Sequence, residues 1–318
     1  MKMKFLILTL VLIFFSGCEE KDQVITTSPL ATDYLEEIME IMQTYSIHQQ
    51  KIDWEVFRNK VLNEAEGAQT IADTYPSIRL ALSLLDDQHS IYVTAEGQRI
   101  SDVKNCPPSL AAAVPEDQDI GYIKVSSFGG SEEEGVQFAQ AIQDSIKAQD
   151  HEQLKGWIVD LRGNGGGNMW PMLAGIGPIL GEGLAGYFIN PDGTDITWTY
   201  ENGKSLINDV ALVSVNIPYT LRQVNSKVAV LTDESIASSG EAIVIAFKKR
   251  PNTRSFGYPT CGLSTANSGF EISDGARLYL TIATMADRNK EPYGSAVPPD
   301  ELLAAETAVE RAIAWLKE

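Results

Sequence analysis

Two adjacent serines, Ser238 and Ser239, lie in the short sequence DESIASSGEA, between two apolar runs. The run before it, KVAVL, is typical of a buried strand, and the run after it, AIVIAF, is typical of a helix. A hydroxyl on such a turn lies at the carboxyl end of a sheet, beside a helix N-terminus that favours negative charge. This pattern suits a nucleophile that attacks a carbonyl group. The commoner alternative is a plain helix cap, made by Ser235 or Ser238.

A serine nucleophile needs a general base, and the chain contains three histidines. His48 and His151 lie in polar stretches that are typical of solvated surface. His89, in LLDDQHSIYV, lies where a helical segment ends and a strand begins, so a loop could carry it to a neighbouring sheet. A neutral imidazole suits a base at neutral pH. A lone loop histidine is more often structural, so both interpretations stay open at this point.

The sequence GWIVDLRGNGGGNMW combines a strand that ends at Asp160 with three successive glycines, Gly165 to Gly167. Such a loop can turn sharply and present its backbone amides to a ligand. A nucleotide-binding loop is excluded, because both the Gly-Lys-Ser/Thr of a P-loop and the last glycine of a dinucleotide fingerprint are missing. The remaining functional interpretation is an oxyanion hole, braced by a pair between Asp160 and Arg162. The alternative is a flexible turn.

The first residues, MKMKFLILTLVLIFFSGC, have the charged start, short apolar run and small-residue end of an export signal. The apolar run is too short to span a bilayer, and no later run reaches the ~18 residues that a spanning helix needs. The end at Cys18 resembles the lipobox of bacterial lipoproteins. We therefore predict a signal peptide over residues 1–17, a lipid anchor on Cys18 in the cell envelope, and a tether over residues 18–31. A plain signal peptide with an incidental cysteine is the alternative.

The chain has 318 residues and a net charge of −18, which becomes two units more negative when Lys2 and Lys4 leave with the signal peptide. An exported domain this acidic disfavours nucleic acid and anionic lipid surfaces as partners. Cys106 and Cys261 remain after processing, either as a disulfide or as two buried thiols. Because the histidines are scattered and form no cluster with cysteines, we expect no metal site.

Periodicity divides the rest of the chain into an N-terminal helical segment, residues 32–88, and a core, residues 89–318. The segment is predicted to form a small bundle of about three helices, the first with a capping box of Asp33 and Glu36 and one apolar stripe of Leu35, Ile38, Met39 and Met42. In the core, strands are predicted over 120–128, 156–161, 227–231 and 277–285, and helices over 132–149, over 238–249 and at the C-terminus. This alternation indicates an α/β fold.

Four motifs in this order, DDQHS, DLRGNGGG, SIASSGEA and YGSAVPPDELL, resemble the tail-specific protease family. The family includes the carboxyl-terminal processing peptidases, the tricorn core protease and the interphotoreceptor retinoid-binding proteins, and the resemblance covers roughly residues 32–318. It implies a mixed α/β, ClpP/crotonase-like protease core. It also implies a serine-type endopeptidase that cleaves polypeptides, carboxyl-terminal tails among them, without a cofactor. The alternatives are a catalytically retired protein that binds apolar ligands or peptides on the same fold, and a surface interaction lipoprotein.

The resemblance also assigns the nucleophile and the oxyanion donors. In the family, the nucleophile stands three residues before the glutamate of the serine turn, which is Glu241 here. The nucleophile is therefore expected to be Ser238, and the oxyanion donors are expected to be the amides of Ser239 and Gly166. Either glycine beside Gly166 is an alternative donor.

The general base is also assigned from the family resemblance. Many members use a lysine, but its position is Leu263 here, which cannot accept a proton. The tricorn-like branch uses a histidine, which matches His89, and an acid that holds the histidine's tautomer. The resemblance favours Glu291 as that acid, with Asp287 nearly as good, and it makes Ser90 a supporting residue.

One family feature is missing from this sequence. Many members carry a PDZ module between the helical segment and the core, but only about thirty residues separate His89 from the strand at Ile120. If the chain acts on peptide tails, the core or the helical segment must recognise them directly.

Overall fold

The computed structural model describes residues 26–114 and 116–318, so the predicted signal peptide, Cys18 and the first part of the tether lie outside the described residues. The described chain contains seven α-helices, which are α1 (Pro29–Tyr45), α2 (Trp54–Glu64), α3 (Tyr75–Leu84), α4 (Glu132–Gln149), α5 (Met169–Leu180), α6 (Ser239–Phe247) and α7 (Ala305–Lys317). None of these helices is both long enough and apolar enough to cross a membrane.

The strands of the described chain form two sheets. They are β1 (Ile91–Val93), β2 (Arg99–Ser101), β3 (Ile120–Lys124), β4 (Gly156–Asp160), β5 (Gly183–Ile189), β6 (Asp195–Glu201), β7 (Lys204–Ile207), β8 (Val210–Ser214), β9 (Lys227–Thr232), β10 (Thr253–Gly257), β11 (Thr265–Glu271), β12 (Arg277–Ala286) and β13 (Glu301–Leu302).

The first sheet is parallel and has the strand order β13-β10-β9-β4-β3. Its central strands β4 and β9 are apolar and almost wholly buried, as expected of a parallel sheet covered on both faces. Helices α4, α5 and α6 contribute to the core on one face, and α7 covers the other. The strands β4 and β9 run in parallel, so the loops after Asp160 and Thr232 leave the sheet at the same edge.

The second sheet is antiparallel and has the order β2-β1-β12-β5-β6-β7-β8, with β11 on the other side of β12. The N-terminal helices cover one face of this sheet. Their side chains, including Leu35 and Met39, share a core with Leu278 and Leu280 of β12. The helical segment is therefore packed on the sheet that carries β1 and β11, the two strands beside the candidate site.

The mixed α/β fold predicted from the sequence is confirmed. The capping box of Ser131 and Glu134 is present at the start of α4. The predicted start of the first helix is wrong: α1 begins at Pro29, because Ser28 accepts a hydrogen bond from the amide of Ala31 and proline suits the first helical turn. The sequence did not decide whether Cys106 and Cys261 are paired, and the structure shows that they form a disulfide.

Candidate active site

Ser238 lies on the turn between β9 and α6, immediately before the first residue of the helix. Its backbone has φ 52° and ψ −120°, a conformation that side-chain-bearing residues rarely adopt. The amide of Ser238 donates to Oε2 of Glu241 at 2.9 Å, which fixes this turn. The serine is therefore held in a strained conformation at the carboxyl edge of the parallel sheet.

The carboxylate of Glu241 is the anchor of this turn. It is fully buried and also accepts hydrogen bonds from the hydroxyl of Thr260 and from the amides of Gly262, at 2.9 Å, and Leu263, at 2.7 Å. Burial raises the pKa of Glu241, and these hydrogen bonds oppose that rise. Glu241 thus ties the strained turn to the loop at residues 260–263.

His89 lies against Ser238. Its Nε2 atom is 3.1 Å from the hydroxyl oxygen of Ser238, and its Nδ1 atom is 2.8 Å from the hydroxyl oxygen of Thr265. When Nδ1 carries the ring proton and donates it to Thr265, Nε2 is free to accept the hydroxyl proton of Ser238. This is the arrangement of a serine with its general base.

The backbone of His89 is fixed by its neighbours. The carboxylate of Asp87 accepts hydrogen bonds from the amides of His89, at 2.9 Å, and Ser90, at 2.8 Å. The hydroxyl of Ser90 donates to the same carboxylate, and the side-chain amide of Asn267 donates to the carbonyl oxygen of His89 at 2.9 Å. Ser90, predicted to support the histidine, therefore braces its backbone turn.

Burial lowers the pKa of His89 to about 4. Only 5% of the residue is exposed, and water therefore stabilises its charged form poorly. The negative charge of Asp87 raises the pKa and the positive charge of Arg99 lowers it, but burial is the largest effect. His89 is consequently neutral at pH 7, which is the form that can accept a proton.

The glycine loop after β4 packs directly on the serine turn. A Cβ atom at Gly166 would lie 2.9 Å from Cβ of Ser238, so this close approach requires glycine. The hydroxyl of Ser239 donates to the carbonyl oxygen of Gly167 at 2.6 Å. The amide of Ala237 donates to the carbonyl oxygen of Asn164 at 3.1 Å. The two loops therefore form one unit.

The amide of Gly166, predicted to be an oxyanion donor, already makes a hydrogen bond within the loop. It donates to Oδ1 of Asn164 at 3.0 Å, which corrects the first choice made from the sequence. Within residues 26–114 and 116–318, the amides of Ser239, Gly165 and Gly167 have no hydrogen-bond partner. Gly165 and Gly167 also line the cavity beside Ser238. They were the alternatives that the sequence left open.

The predicted pair of Asp160 and Arg162 is present at the start of the glycine loop. The guanidinium donates to both carboxylate oxygens, each at 2.8 Å, and both residues are almost fully buried. The hydroxyl of Tyr122 also donates to Asp160, at 2.9 Å. This bidentate pair holds the loop where it leaves the sheet.

Neither predicted acid contacts His89 in the described structure. Glu291 is exposed. Asp287 is buried, but its carboxylate accepts hydrogen bonds from the amides of Asn289 and Glu291 and from the hydroxyl of Tyr293. The carboxylate of Asp287 therefore binds groups of its own loop and does not reach His89. The sequence led us to expect a carboxylate beside Nδ1 of His89, but the structure has the hydroxyl of Thr265 at this place.

A cavity of ≈ 900 Å³ opens beside the serine and histidine. Its walls come from the glycine loop and α5 on one side and from the second sheet on the other. Most of the side chains are apolar, and they include Ile91, Trp170, Phe188, Leu263 and Met285. Such a cavity can hold several side chains of a peptide next to the nucleophile. Among the described residues, no group of three or more His, Cys, Asp or Glu could hold a metal ion.

Sequence reasoning missed Thr265 and Asn267, which hold the ring and the backbone of His89. Both belong to β11, which was not predicted because TANSGFE lacks the apolar alternation of a strand. They are 176 and 178 residues away from the histidine along the chain. The only available signal was that Thr265 comes two residues after Leu263, the position of the family's lysine.

Comparisons with known proteins found a matching family model and several similar proteins. A model of peptidase family S41 matches residues 119–303. The nisin-resistance protein of Lactococcus lactis subsp. lactis is 26% identical over 93% of this chain and 90% of its own length. The carboxy-terminal processing protease CtpA of Bacillus subtilis is 26% identical over 52% of this chain, but only 31% of that protein is matched. The solved structure of a lipoprotein from Streptococcus agalactiae has a TM-score of 0.71 at 22% identity, and it covers 91% of this chain and 97% of its own.

Proposed function

The chain belongs to peptidase family S41, and we propose that it is a serine-type endopeptidase with Ser238 as nucleophile and His89 as general base. The observation that carries this proposal is the 3.1 Å distance between Nε2 of His89 and the hydroxyl oxygen of Ser238, at the wall of a large cavity. The match to the Bacillus processing protease supports peptide-bond hydrolysis as the reaction.

The proposed reaction begins when Ser238 attacks the scissile carbonyl carbon and His89 takes the hydroxyl proton. The Nδ1–H of the resulting imidazolium donates to Thr265. His89 then gives its Nε2 proton to the leaving amine, which breaks the peptide bond and leaves an acyl group on Ser238. A water molecule, deprotonated by His89, hydrolyses this ester and regenerates the serine.

The negative charge on the former carbonyl oxygen requires backbone donors. We assign one to the amide of Ser239, at the start of α6, where the helix dipole also favours negative charge. The second is an amide of the glycine loop, either Gly165 or Gly167. A donor of this kind contributes about 3 to 4 kcal/mol to the stability of a transition state.

The substrate is proposed to be a polypeptide that meets the enzyme at the cell envelope. The Lactococcus relative is named for resistance to nisin, and the Streptococcus structure is named as that of a lipoprotein. Both names support an envelope-associated peptidase. Residues 1–17 would then be removed and Cys18 would carry the lipid anchor, as the sequence predicts.

This function is tested with a pool of mixed-sequence peptides whose products are identified by mass spectrometry. The protein without its signal peptide and Cys18 should cleave peptides, and Ser238→Ala and His89→Ala should each reduce the rate by at least about 10³-fold. Ser214→Ala and His151→Ala are matched controls, because Ser214 is exposed on β8 and His151 precedes the amino end of β4. Equal cleavage by Ser238→Ala would reject the assigned nucleophile. Peptide binding without any cleavage would instead indicate a retired enzyme that serves as a binding protein.

A further inference from the structure

The cavity beside Ser238 has an unusual charge pattern for so acidic a chain. The protein carries a net charge of −18, yet no carboxylate lies among the described residues that line this cavity. Apart from His89, which is neutral at pH 7, the only ionisable basic side chain in the lining is Arg99. One permanent positive charge therefore lies in a cavity whose other side chains are apolar or uncharged polar groups.

The register of the second sheet shows where Arg99 lies relative to the histidine. Arg99 pairs with Val93 across the antiparallel strands β2 and β1, so the two side chains share a face. Residues two apart along a strand also share a face, which puts Ile91 on this side. Val93 is the last residue of β1, and His89 lies two residues before the start of this strand. The opposite face carries Tyr92 and packs on the helices.

Arg99 is free to bind a ligand. In the described part of the chain its guanidinium makes no hydrogen bond or salt bridge with a side chain, whereas Lys104, further along the same segment, donates to the carbonyl oxygen of Cys261. The charge of Arg99 also reaches the catalytic group, since it lowers the pKa of His89 while Asp87 raises it. Arg99 is an exposed residue, and its guanidinium is unneutralised and within electrostatic range of His89.

We propose that Arg99 binds a carboxylate of the peptide substrate within this cavity. This inference rests on the proposed peptidase function and adds a determinant of specificity to it. A guanidinium binds a carboxylate with two parallel hydrogen bonds, which gives both affinity and orientation. The carboxylate is either the free C-terminus of the substrate or an acidic side chain at the same place in the cavity. Recognition of a free C-terminus would allow the core to select peptide tails by itself.

The experiment separates binding from cleavage by using the Ser238→Ala protein, which cannot form the acyl intermediate. Fluorescein-labelled decapeptide pools of identical composition, without acidic residues, end in a free acid or in an amide. Their dissociation constants are measured by fluorescence polarisation. The free acids should bind about tenfold to a hundredfold more tightly, and adding Arg99→Gln should remove that difference. Arg277→Gln is a matched control, because Arg277 also lies on this sheet but does not line the cavity.

A third pool, amidated but with glutamate at its last position, distinguishes the two sources of the carboxylate. If it binds as tightly as the free acids, an acidic side chain suffices; if it binds like the plain amide, the free C-terminus is required. Equal binding of acid and amide, no detectable binding of any pool, or a preference that survives Arg99→Gln would overturn the inference. A failure of the proposed function is seen separately, as the absence of cleavage by the protein with an intact Ser238.

Discussion

The hydroxyl of Thr265 lies 2.8 Å from Nδ1 of His89, at the position where many serine hydrolases have a carboxylate. A neutral hydroxyl orients the ring and can accept a hydrogen bond from Nδ1–H in the tautomer that leaves Nε2 free. It stabilises the imidazolium less than a carboxylate would, because it carries no charge. The candidate site is therefore a serine–histidine pair supported by a threonine.

Removing this hydroxyl should slow catalysis without weakening substrate binding. We predict that Thr265→Val lowers kcat about 5- to 150-fold with KM little changed, since an unpaired buried donor costs about 1 to 3 kcal/mol. Thr265→Ser should restore most of the activity, because it keeps the hydroxyl. The measurement is steady-state kinetics on a peptide that the wild-type protein cleaves. If Thr265→Val and Thr265→Ser were equally slow, the lost methyl contact or altered packing would explain the defect better than the hydrogen bond.

Burial of His89 should be visible in the pH dependence of activity. Its pKa is lowered to about 4, so the neutral base persists well below pH 6.5. We predict that kcat/KM falls only as the pH approaches about 4. Arg99→Gln should move this acid limb to higher pH, because the charge of Arg99 lowers the pKa. An acid limb near pH 6.5 in the wild-type protein would show that His89 titrates like an exposed histidine.

The same lowered pKa predicts a pH dependence of stability. Between about pH 6.5 and 4 the unfolded chain binds a proton at His89 that the folded chain does not. The contribution of His89 to the free energy of unfolding is therefore complete above pH 6.5 and is lost as the pH falls towards 4. Urea unfolding of the wild type and of His89→Gln, measured across this window, should show a steeper decline for the wild type. Parallel declines would contradict the prediction.

Glu241 should be essential for the integrity of the serine turn. Glu241→Ala removes the acceptor for the buried amide of Leu263 and for the partly buried amides of Ser238 and Gly262. We expect a loss of about 3 to 5 kcal/mol in the free energy of unfolding, because an unpaired donor costs about 1 to 3 kcal/mol and the two partly buried amides lie at the low end of that range. Glu241→Gln keeps one acceptor oxygen and should cost less. Urea denaturation provides the measurement, and an unchanged midpoint in Glu241→Ala would show that these amides find other partners.

The disulfide between Cys106 and Cys261 should stabilise the same region. It joins residues 155 apart, and the segment around Cys261 also bonds to the serine turn through the amide of Cys261 and the carbonyl oxygen of Ile236. Closing so long a loop restricts the unfolded chain and is worth about 2 to 5 kcal/mol. We predict that the Cys106→Ser and Cys261→Ser double variant melts at a lower temperature. Reductant should lower the melting temperature of the wild type but leave that of the double variant unchanged. A wild type insensitive to a reductant that demonstrably opens the bond would contradict this account.

The sequence predicted the parts of the site that are local along the chain. Ser238 and Glu241 are three residues apart, and the glycine loop follows an apolar strand directly, so turn and strand patterns were enough to find them. The strands β3, β4, β9 and β12 were found for the same reason. The resemblance to the tail-specific protease family then assigned His89 as the general base, which hydrophobic periodicity could not do.

The partners of His89 could not be predicted, because they depend on contacts between distant segments. The choice of Glu291 rested on the family resemblance, but in the loop after β12 the carboxylate of Asp287 accepts hydrogen bonds from the amides of the same loop. Thr265 reaches the histidine only because β11 pairs with β12, which also pairs with β1. Sheet pairing of this kind is decided by the tertiary fold, and the sequence TANSGFE has no pattern that predicts a strand.

The most direct test of the account is covalent labelling of Ser238 with a fluorophosphonate, followed by mass spectrometry of the modified peptide. The reagent reacts with serines whose hydroxyl is activated by a base, so it needs no knowledge of the natural substrate. We predict a single modified residue, Ser238, with labelling lost in Ser238→Ala and at least about tenfold slower in His89→Ala. Modification of another serine, or undiminished labelling of the folded His89→Ala protein, would contradict the assignment of Ser238 and His89 as nucleophile and base.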